Sequence, residues 1–273
     1  MAGPLGLIAG AGQFPIEVAR EARREGKRVV AAGLAGWVDP ALSSHADAYE
    51  EIAVGALARL LAFLKTHGVR EAVMAGKVTK QVLFDRSAEF DRELLAVLGK
   101  VRDYSVTGLL GAVGERLAAD GITLLDSSTY LRSSLCPPGV LTAKRPTPGE
   151  EEDIRLGRRL AKTMAQLDVG QTVAVKQGIV VAVEALEGTD AAMRRAQALA
   201  GGGLVIVKAA SPQQDRRFDL PVVGLQTIAV LAELGASCLA VEAGATLLLN
   251  REEIVAAADR AGVSLVGVDP ASP

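Results

Sequence analysis

Short apolar runs alternate with helix-forming segments over the first 130 residues, and this alternation constrains the fold more than any other feature. Leu5–Ala9 has the composition of a buried strand. A helix from Phe14 to about Glu25 follows it, with Pro15 in the first helical turn. Because alternating strands and helices imply parallel pairing and right-handed crossovers, we predict a Rossmann-like parallel α/β domain over residues 1–132.

The same alternation continues to the end of that domain. The further predicted strands are Arg28–Ala32, Ala72–Ala75 and Ile122–Leu125, and the further predicted helices are Gly55–His67, Phe90–Leu98 and Tyr104–Ala119. Four of the 11 prolines then fall within Ser133–Gly149, which indicates an ordered linker between two domains.

The second half, residues 150–273, has the pattern of a mixed α/β domain. Glu150–Asp153 is typical of an acidic first helical turn, here of a helix reaching Leu167, and this interpretation is favoured over a metal site. Gln177-Gly178 predicts a hairpin. The predicted strands are Thr172–Lys176, Ile179–Ala185, Leu204–Lys208, Cys238–Val241, Thr246–Leu249 and Ser264–Val268, and the helices are Ala191–Leu199, capped by Thr189 or Asp190, Thr227–Leu234 and Glu252–Ala261.

Composition excludes several classes of protein. A net charge of −2 and 3% aromatic residues argue against nucleic-acid binding. The two histidines are too few for a three-histidine zinc site, and the two cysteines form no metal-binding pair or disulfide framework. With no apolar run of 18 residues and no basic leader, we expect a cytoplasmic protein.

Two glycine-containing loops follow predicted strands at the same edge of the first sheet. Gly10 and Gly12, with Gln13, suit a phosphate at a helix N-terminus, and Gly76-Lys77 adds a cation. Simple turn geometry and solvated lysines, Lys80 among them, are the alternatives. NAD binding is disfavoured, because Pro15 occupies the third glycine position and no acid follows the second strand.

The second half carries a mixture of acids and cations that suits phosphoryl chemistry. The cluster comprises Lys176, Glu184, Thr189, Asp190, Lys208 and the loop from Ser211 to Pro221, which contains Asp215, Arg216, Arg217 and Asp219. Cations offset phosphate charge, whereas carboxylates hold a divalent metal or orient water. Salt bridges within the loop are the alternative. Asp126 is either catalytic or a cap of the turn at Ser127 and Ser128.

Together these segments resemble the LpxI type of UDP-2,3-diacylglucosamine pyrophosphatase, an enzyme family of lipid A biosynthesis in Gram-negative bacteria. The resemblance runs in order from residue 6 to residue 244. The matching stretches are Gly6-Leu-Ile-Ala-Gly-Ala-Gly-Gln-Phe-Pro15, Ala75-Gly-Lys-Val78, Val175-Lys-Gln-Gly178, Ala182-Val-Glu-Ala-Leu-Glu-Gly-Thr-Asp190, Val207-Lys208, Gln214-Asp-Arg-Arg-Phe-Asp-Leu-Pro221, Gly224-x-x-Thr227 and Glu242-Ala-Gly244.

The resemblance implies hydrolysis of UDP-2,3-diacylglucosamine to 2,3-diacylglucosamine 1-phosphate (lipid X) and UMP, with a divalent cation such as Mg²⁺. It also implies that water attacks the phosphorus nearer the sugar and that the substrate lies between two domains. Asp219 is the best candidate for the essential carboxylate. A Rossmann-like oxidoreductase and a non-catalytic nucleotide- or lipid-binding protein remain as alternatives.

On this interpretation each candidate residue receives a role. The predicted catalytic residues are Asp219, Asp215, Asp190 and Lys208, and the predicted metal ligands are Asp219 and Asp215. The predicted substrate-binding residues are Gly10, Gly12, Gln13, Gly76, Lys77, Lys176, Thr189, Arg217 and Thr227. Because the substrate is amphiphilic, we also expect peripheral contact with the inner membrane, and a homodimer is compatible with the sequence.

Overall fold

The computed structural model describes residues 3–78, 89–101, 106–210, 215–218 and 220–270. The chain divides into two compact units. The first comprises Met1–Arg132 together with Asp215–Asp219, and the second comprises Ser133–Gln214 and Leu220–Pro273. A short segment of the second half of the sequence therefore belongs to the first unit.

The first unit contains a five-stranded parallel sheet in the order β3-β2-β1-β4-β5. Its strands are β1 (Leu5–Ala9), β2 (Val29–Leu34), β3 (Ala48–Ile52), β4 (Glu71–Ala75) and β5 (Thr123–Leu124). Its helices are α1 (Phe14–Arg24), α2 (Leu57–Thr66), α3 (Arg92–Leu98) and α4 (Val106–Ala119). The predicted parallel α/β layer is confirmed, and the predicted elements differ from the observed ones mainly at their ends.

One strand of this sheet, β3, was not predicted from the sequence. β3 has the sequence Ala-Tyr-Glu-Glu-Ile, and only its last residue, Ile52, is buried. It lies at the edge of the sheet, where it pairs with β2 alone. An edge strand needs little apolar surface, so the hydrophobic pattern that identifies central strands is missing here.

The second unit contains a separate six-stranded sheet in the order β6-β13-β11-β9-β7-β8, together with a two-stranded sheet of β10 and β12. The strands are β6 (Gly139–Val140), β7 (Thr172–Lys176), β8 (Ile179–Val183), β9 (Val205–Lys208), β10 (Val222–Val223), β11 (Cys238–Glu242), β12 (Leu247–Leu248) and β13 (Ser264–Val268). The helices are α5 (Pro148–Gln166), α6 (Thr189–Ala200), α7 (Leu225–Glu233) and α8 (Arg251–Ala261).

This sheet is mixed, as predicted. β9, β11 and β13 are parallel, whereas β7 runs antiparallel to both β8 and β9. Alternate side chains of the central strands enter different cores, because successive residues of a strand point to opposite faces. Val205 and Val207 pack with Ile154 of α5, whereas Ile206 packs with buried residues of α6, α7 and α8 such as Ile228.

The structure bears on three local expectations in the second unit: it confirms the acidic first turn of α5 with Glu150 and Glu151, but it contradicts the side-chain cap of α6. The proline-rich stretch contributes strand β6, which pairs with β13. Helix α6 begins after Gly188, with no side-chain cap from Thr189 or Asp190. Thr147 and Glu150 form a capping box at the start of α5. Asp153 is buried instead and accepts hydrogen bonds from the hairpin amides of Gln177 (2.9 Å) and Gly178 (2.6 Å).

Candidate functional site

The turn Asp215–Phe218 lies at the carboxyl edge of the parallel sheet of the first unit. The main-chain amide of Ser127, shortly after β5, donates to the oxygen of Arg216 at 2.8 Å. The Ser127 hydroxyl lies 2.8 Å from the main-chain oxygens of both Met74, in β4, and Arg217. Ser127 is only 1% exposed, so these contacts form in a buried setting. The turn is thereby fixed beside the ends of β4 and β5.

A second set of contacts joins the same turn to Asp126. The Arg216 Nε donates to Asp126 Oδ2 at 2.8 Å, and the amide of Ser128 donates to Asp126 Oδ1 at 2.7 Å. Burial alone would raise the pKa of Asp126, but the hydrogen bonds from Ser128 and the charge of Arg216 hold it below its usual value. Asp126 therefore caps the Ser127–Ser128 turn and also binds Arg216.

Asp215 and Arg217 form an ion pair within the turn itself. Arg217 Nε lies 2.9 Å from Asp215 Oδ1 and 3.0 Å from Oδ2, and the Arg217 amide also donates to Oδ1. The hydrogen bond from Arg217 lowers the pKa of Asp215. The Arg217 guanidinium also lies 5.6 Å from the centre of the Phe218 ring. This is the salt-bridge arrangement that the sequence left open for this loop.

The two glycine loops lie at this same carboxyl edge, because they follow the neighbouring strands β1 and β4. Ala11 and Lys77 exchange two main-chain hydrogen bonds of 2.9 and 3.0 Å. A Cβ on Gly76 would lie 2.7 Å from the main-chain carbon of Gly10. Because neither Gly10 nor Gly76 carries a Cβ, the two loops can approach each other closely. These glycines therefore have a packing role in addition to the phosphate-binding role predicted from the sequence.

Gln13 and Lys77 border these loops. Gln13 precedes α1 as its N-cap residue, makes no side-chain cap, and instead donates to Asp39 at 3.1 Å. Lys77 is exposed. The structure therefore brings one group of predicted residues to one sheet edge: Gly10, Gly12, Gln13, Gly76, Lys77, Asp215 and Arg217.

The remaining predicted residues belong to the second unit, where three of the polar side chains form a chain. Lys208 Nζ donates to Thr189 Oγ1 at 3.2 Å, and Thr189 Oγ1 donates to Glu184 Oε1 at 2.8 Å. The other Glu184 oxygen is a buried atom. Lys208 ends β9, and Thr189 begins α6, so two elements hold the ammonium group at the carboxyl end of a parallel strand.

Other predicted residues of this unit lie apart from that chain of hydrogen bonds. Lys176 donates to the main-chain oxygen of Ala200 at 2.6 Å and so caps the end of α6. Asp190 is exposed in the first turn of α6, and Thr227 is half-buried in the first turn of α7. Asp219 and Lys80 lie outside the described residues.

Sequence reasoning missed several polar residues that shape these sites. Glu242, at the end of β11, accepts from the Ala210 amide at 3.0 Å and forms an ion pair of 2.9 Å with Lys162. With Lys208 and Arg158 it lines a small pocket at the strand ends. The sequence signal that could have identified Glu242 is an acidic residue at the end of a buried strand. Ser127 and Arg216 were identified only as a turn residue and a loop cation, and the contacts that join the Arg216 turn to Asp126 and Ser127 were not predicted.

Within the described ranges, no group of three His, Cys, Asp or Glu residues is placed to hold an ion. The carboxylate of Asp215 accepts hydrogen bonds from Arg217 on both oxygens. A separate question is whether any helix could cross a membrane. Among the described residues, no helix combines the length and apolar character needed to cross a bilayer.

Comparison with known proteins gives matches over both units. A family model of the LpxI N-terminal domain matches residues 4–134, and one of the LpxI C-terminal domain matches residues 137–266. The UDP-2,3-diacylglucosamine pyrophosphatase LpxI of Caulobacter vibrioides is 33% identical over 278 residues. That similarity covers 97% of this chain and 98% of the relative.

Proposed function

Because the chain belongs to the LpxI family, we propose that it hydrolyses the pyrophosphate bond of UDP-2,3-diacylglucosamine. The products are 2,3-diacylglucosamine 1-phosphate and UMP. The similarity to the Caulobacter pyrophosphatase extends over almost the full length of both chains, which supports the same reaction. The structural observation that carries the proposal is the placement of the two glycine loops and the Asp215–Phe218 turn at the same edge of the first sheet.

The carboxyl edge of an open parallel sheet is the usual place for a ligand. Here that edge carries the ammonium of Lys77 and the Arg217 guanidinium, both of which suit a pyrophosphate. Asp215 holds the guanidinium in a fixed orientation. We therefore assign Lys77 and Arg217 to phosphate binding and Asp215 to the orientation of Arg217.

Lys208 is the cation that we assign to the reaction from the second unit. Thr189 fixes its ammonium group, and Glu184 in turn orients the Thr189 hydroxyl. A cation held by such a network stabilises negative charge that develops on phosphate oxygens, since little reorganisation is needed during the reaction. We propose that Lys208 acts in this way, with Thr189 as its positioning partner.

We also propose a requirement for Mg²⁺, which rests on the resemblance. When bound, such an ion polarises phosphate oxygens and activates water. As arranged, Asp215 does not fit as a direct ligand, because Arg217 binds both of its oxygens. Asp219 is the remaining carboxylate of the predicted pair.

The acyl chains of the substrate suggest where the reaction takes place. A substrate and product with two acyl chains partition into a bilayer, so the enzyme must reach them at the membrane surface. We propose a cytoplasmic protein that contacts the inner membrane peripherally, and a homodimer as its assembly. Vesicle sedimentation and light scattering on the purified chain test these two points.

The decisive experiment incubates the purified chain with UDP-2,3-diacylglucosamine and Mg²⁺ in ¹⁸O-water. Mass spectrometry should find UMP and the diacylated sugar phosphate in equal amounts. Attack on the phosphorus nearer the sugar places the label in the sugar phosphate and leaves UMP unlabelled. Label in UMP would overturn the proposed site of attack, and substrate binding without product would favour a binding protein.

A coenzyme titration separates the oxidoreductase alternative. NADH fluorescence should not respond to the protein, because the sequence lacks the third glycine and the ribose-binding acid of a dinucleotide site. A saturable change in NADH fluorescence, with no release of UMP from the sugar nucleotide, would favour an oxidoreductase over a pyrophosphatase.

A further inference from the structure

We propose that Asp126, Ser127 and Arg216 form a latch that positions the Asp215–Phe218 turn for the reaction. The inference rests on the proposed function, since the turn carries Asp215 and Arg217. It assigns no chemistry to the latch residues themselves. They act through the turn and are therefore positioning residues, and Ser127 is the central one.

Ser127 contacts two successive carbonyl groups of the turn. Its amide donates to the Arg216 oxygen, and its hydroxyl reaches the Arg217 oxygen, each at 2.8 Å. The same hydroxyl lies 2.8 Å from the Met74 oxygen at the end of β4. A side chain that is 1% exposed thus connects the turn to the sheet on its buried side. Ser127 therefore fixes both the location and the shape of the Asp215–Phe218 turn.

The ion pair of Asp126 and Arg216 adds a second anchor. Arg216 donates from Nε to Asp126 and from its terminal nitrogen to the Ser128 hydroxyl at 3.2 Å. Ser128 in turn donates to Asp126 from both its amide and its hydroxyl. Ser128 therefore fixes the orientation of the Asp126 carboxylate, which favours one geometry of its ion pair with Arg216.

The two arginines of the loop consequently have different tasks. Arg216 binds Asp126 and Ser128, which lie in the first half of the chain, whereas Arg217 binds Asp215 inside the turn. The local pair sets the shape of the turn, and the latch sets its place at the sheet edge. Because a displacement of about 1 Å of a positioned group can cost on the order of a hundredfold in rate, loss of the latch should slow turnover.

The test compares Ser127→Ala and Asp126→Asn with the matched control Asp120→Asn. Asp120 also pairs with two cations, Arg116 at 2.9 Å and Lys65 at 3.1 Å, but it does not belong to the latch. Hydrogen exchange at the amide of residue 127 reports docking of the turn without any need for activity. Steady-state hydrolysis of UDP-2,3-diacylglucosamine then gives kcat and KM for every variant that melts as a folded protein.

We expect at least tenfold faster exchange at residue 127 in both latch variants, with kcat reduced at least tenfold and KM changed less than threefold. The Asp120→Asn control should match the parent in both measurements. If Ser127→Ala fails to fold, Asp126→Asn alone decides. Unchanged exchange, or faster exchange with parental kcat, overturns the latch. A parent that binds the substrate but forms no product refutes the proposed function and the positioning role with it, while the exchange data still decide whether the contacts dock the turn.

Discussion

The hydroxyl of Ser127 lies 2.8 Å from the main-chain oxygen of Arg217, a residue 90 positions further along the chain. This contact places a loop of the second half of the sequence at the carboxyl edge of the first sheet. The Asp215–Phe218 turn therefore belongs to the first unit, although it lies in the second half of the sequence. Asp215 and Arg217 belong to the same unit as the glycine loops.

Replacement of Asp219 by alanine tests the central prediction from the resemblance. We expect a folded variant that has lost at least a hundredfold in kcat, corresponding to about 3–5 kcal/mol of transition-state stabilisation. A loop salt bridge would instead contribute about 1 kcal/mol to stability and leave activity largely intact. Measuring kcat and Tm on the same sample separates these roles. Near-parental turnover would make Asp215 or Asp190 the next candidate.

Replacement of Asp153 is predicted to have a large effect on the stability of the second unit. Its buried carboxylate accepts the amides of Gln177 and Gly178, and Gln177 has a positive φ of 50°. We expect Asp153→Ala to lower the free energy of unfolding by about 2–3 kcal/mol, because it leaves a strained turn without its acceptor. Urea denaturation measures the loss.

The matched control for that change is Glu152→Ala. Glu152 lies on the same helix, with a side chain 77% exposed and an ion pair of 3.9 Å with Arg155. Its removal should change the free energy of unfolding by less than about 0.5 kcal/mol. Equal losses in the two variants would contradict the role assigned to the Asp153 carboxylate.

Local patterns predict most of this fold. Strand β1 and residues 72–75 of β4 are continuous apolar runs. Gln177-Gly178 identifies its hairpin because both residues take the positive φ that such a turn requires. Strand β3 was not predicted because an edge strand buries little apolar surface. Asp153 was attributed to the first turn of α5 because its acceptor role depends on a hairpin 24 residues further on.

The candidate site is less predictable than the fold for a related reason. The residue types are visible in the sequence, but their partners are set by long-range contacts. Nothing in the pattern distinguishes Arg216, which binds Asp126, from Arg217, which binds Asp215. Likewise, the glycine at position 76 satisfies both a phosphate loop and a close approach to Gly10, and only the tertiary structure shows the second.

Gly76 and Gly12 form a matched pair for testing that close approach. Both have a φ of 93°, but a Cβ on Gly12 meets nothing within 4 Å, whereas one on Gly76 lies 2.7 Å from Gly10. We expect Gly12→Ala to cost about 1–2 kcal/mol from backbone strain alone. Gly76→Ala should cost about 1–3 kcal/mol more through overpacking. Thermal unfolding of both variants supplies the comparison, and equal losses would show that the two loops separate easily.

The pH dependence of stability provides a last prediction about the Asp215–Arg217 pair. Arg217 lowers the pKa of Asp215 in the folded protein. The stabilisation from this carboxylate is therefore complete above its unfolded pKa of about 3.9, and it disappears as the pH falls through the lower, folded value. We expect Asp215→Asn to reduce the free energy of unfolding by at most about 1 kcal/mol at pH 7, because both groups are partly exposed to solvent. In urea titrations of parent and variant, that deficit should begin to shrink below about pH 4 and should vanish only once the pH has fallen below the folded pKa of Asp215. A deficit that stays constant or widens in acid would show that the ionised pair contributes nothing to the stability of the turn.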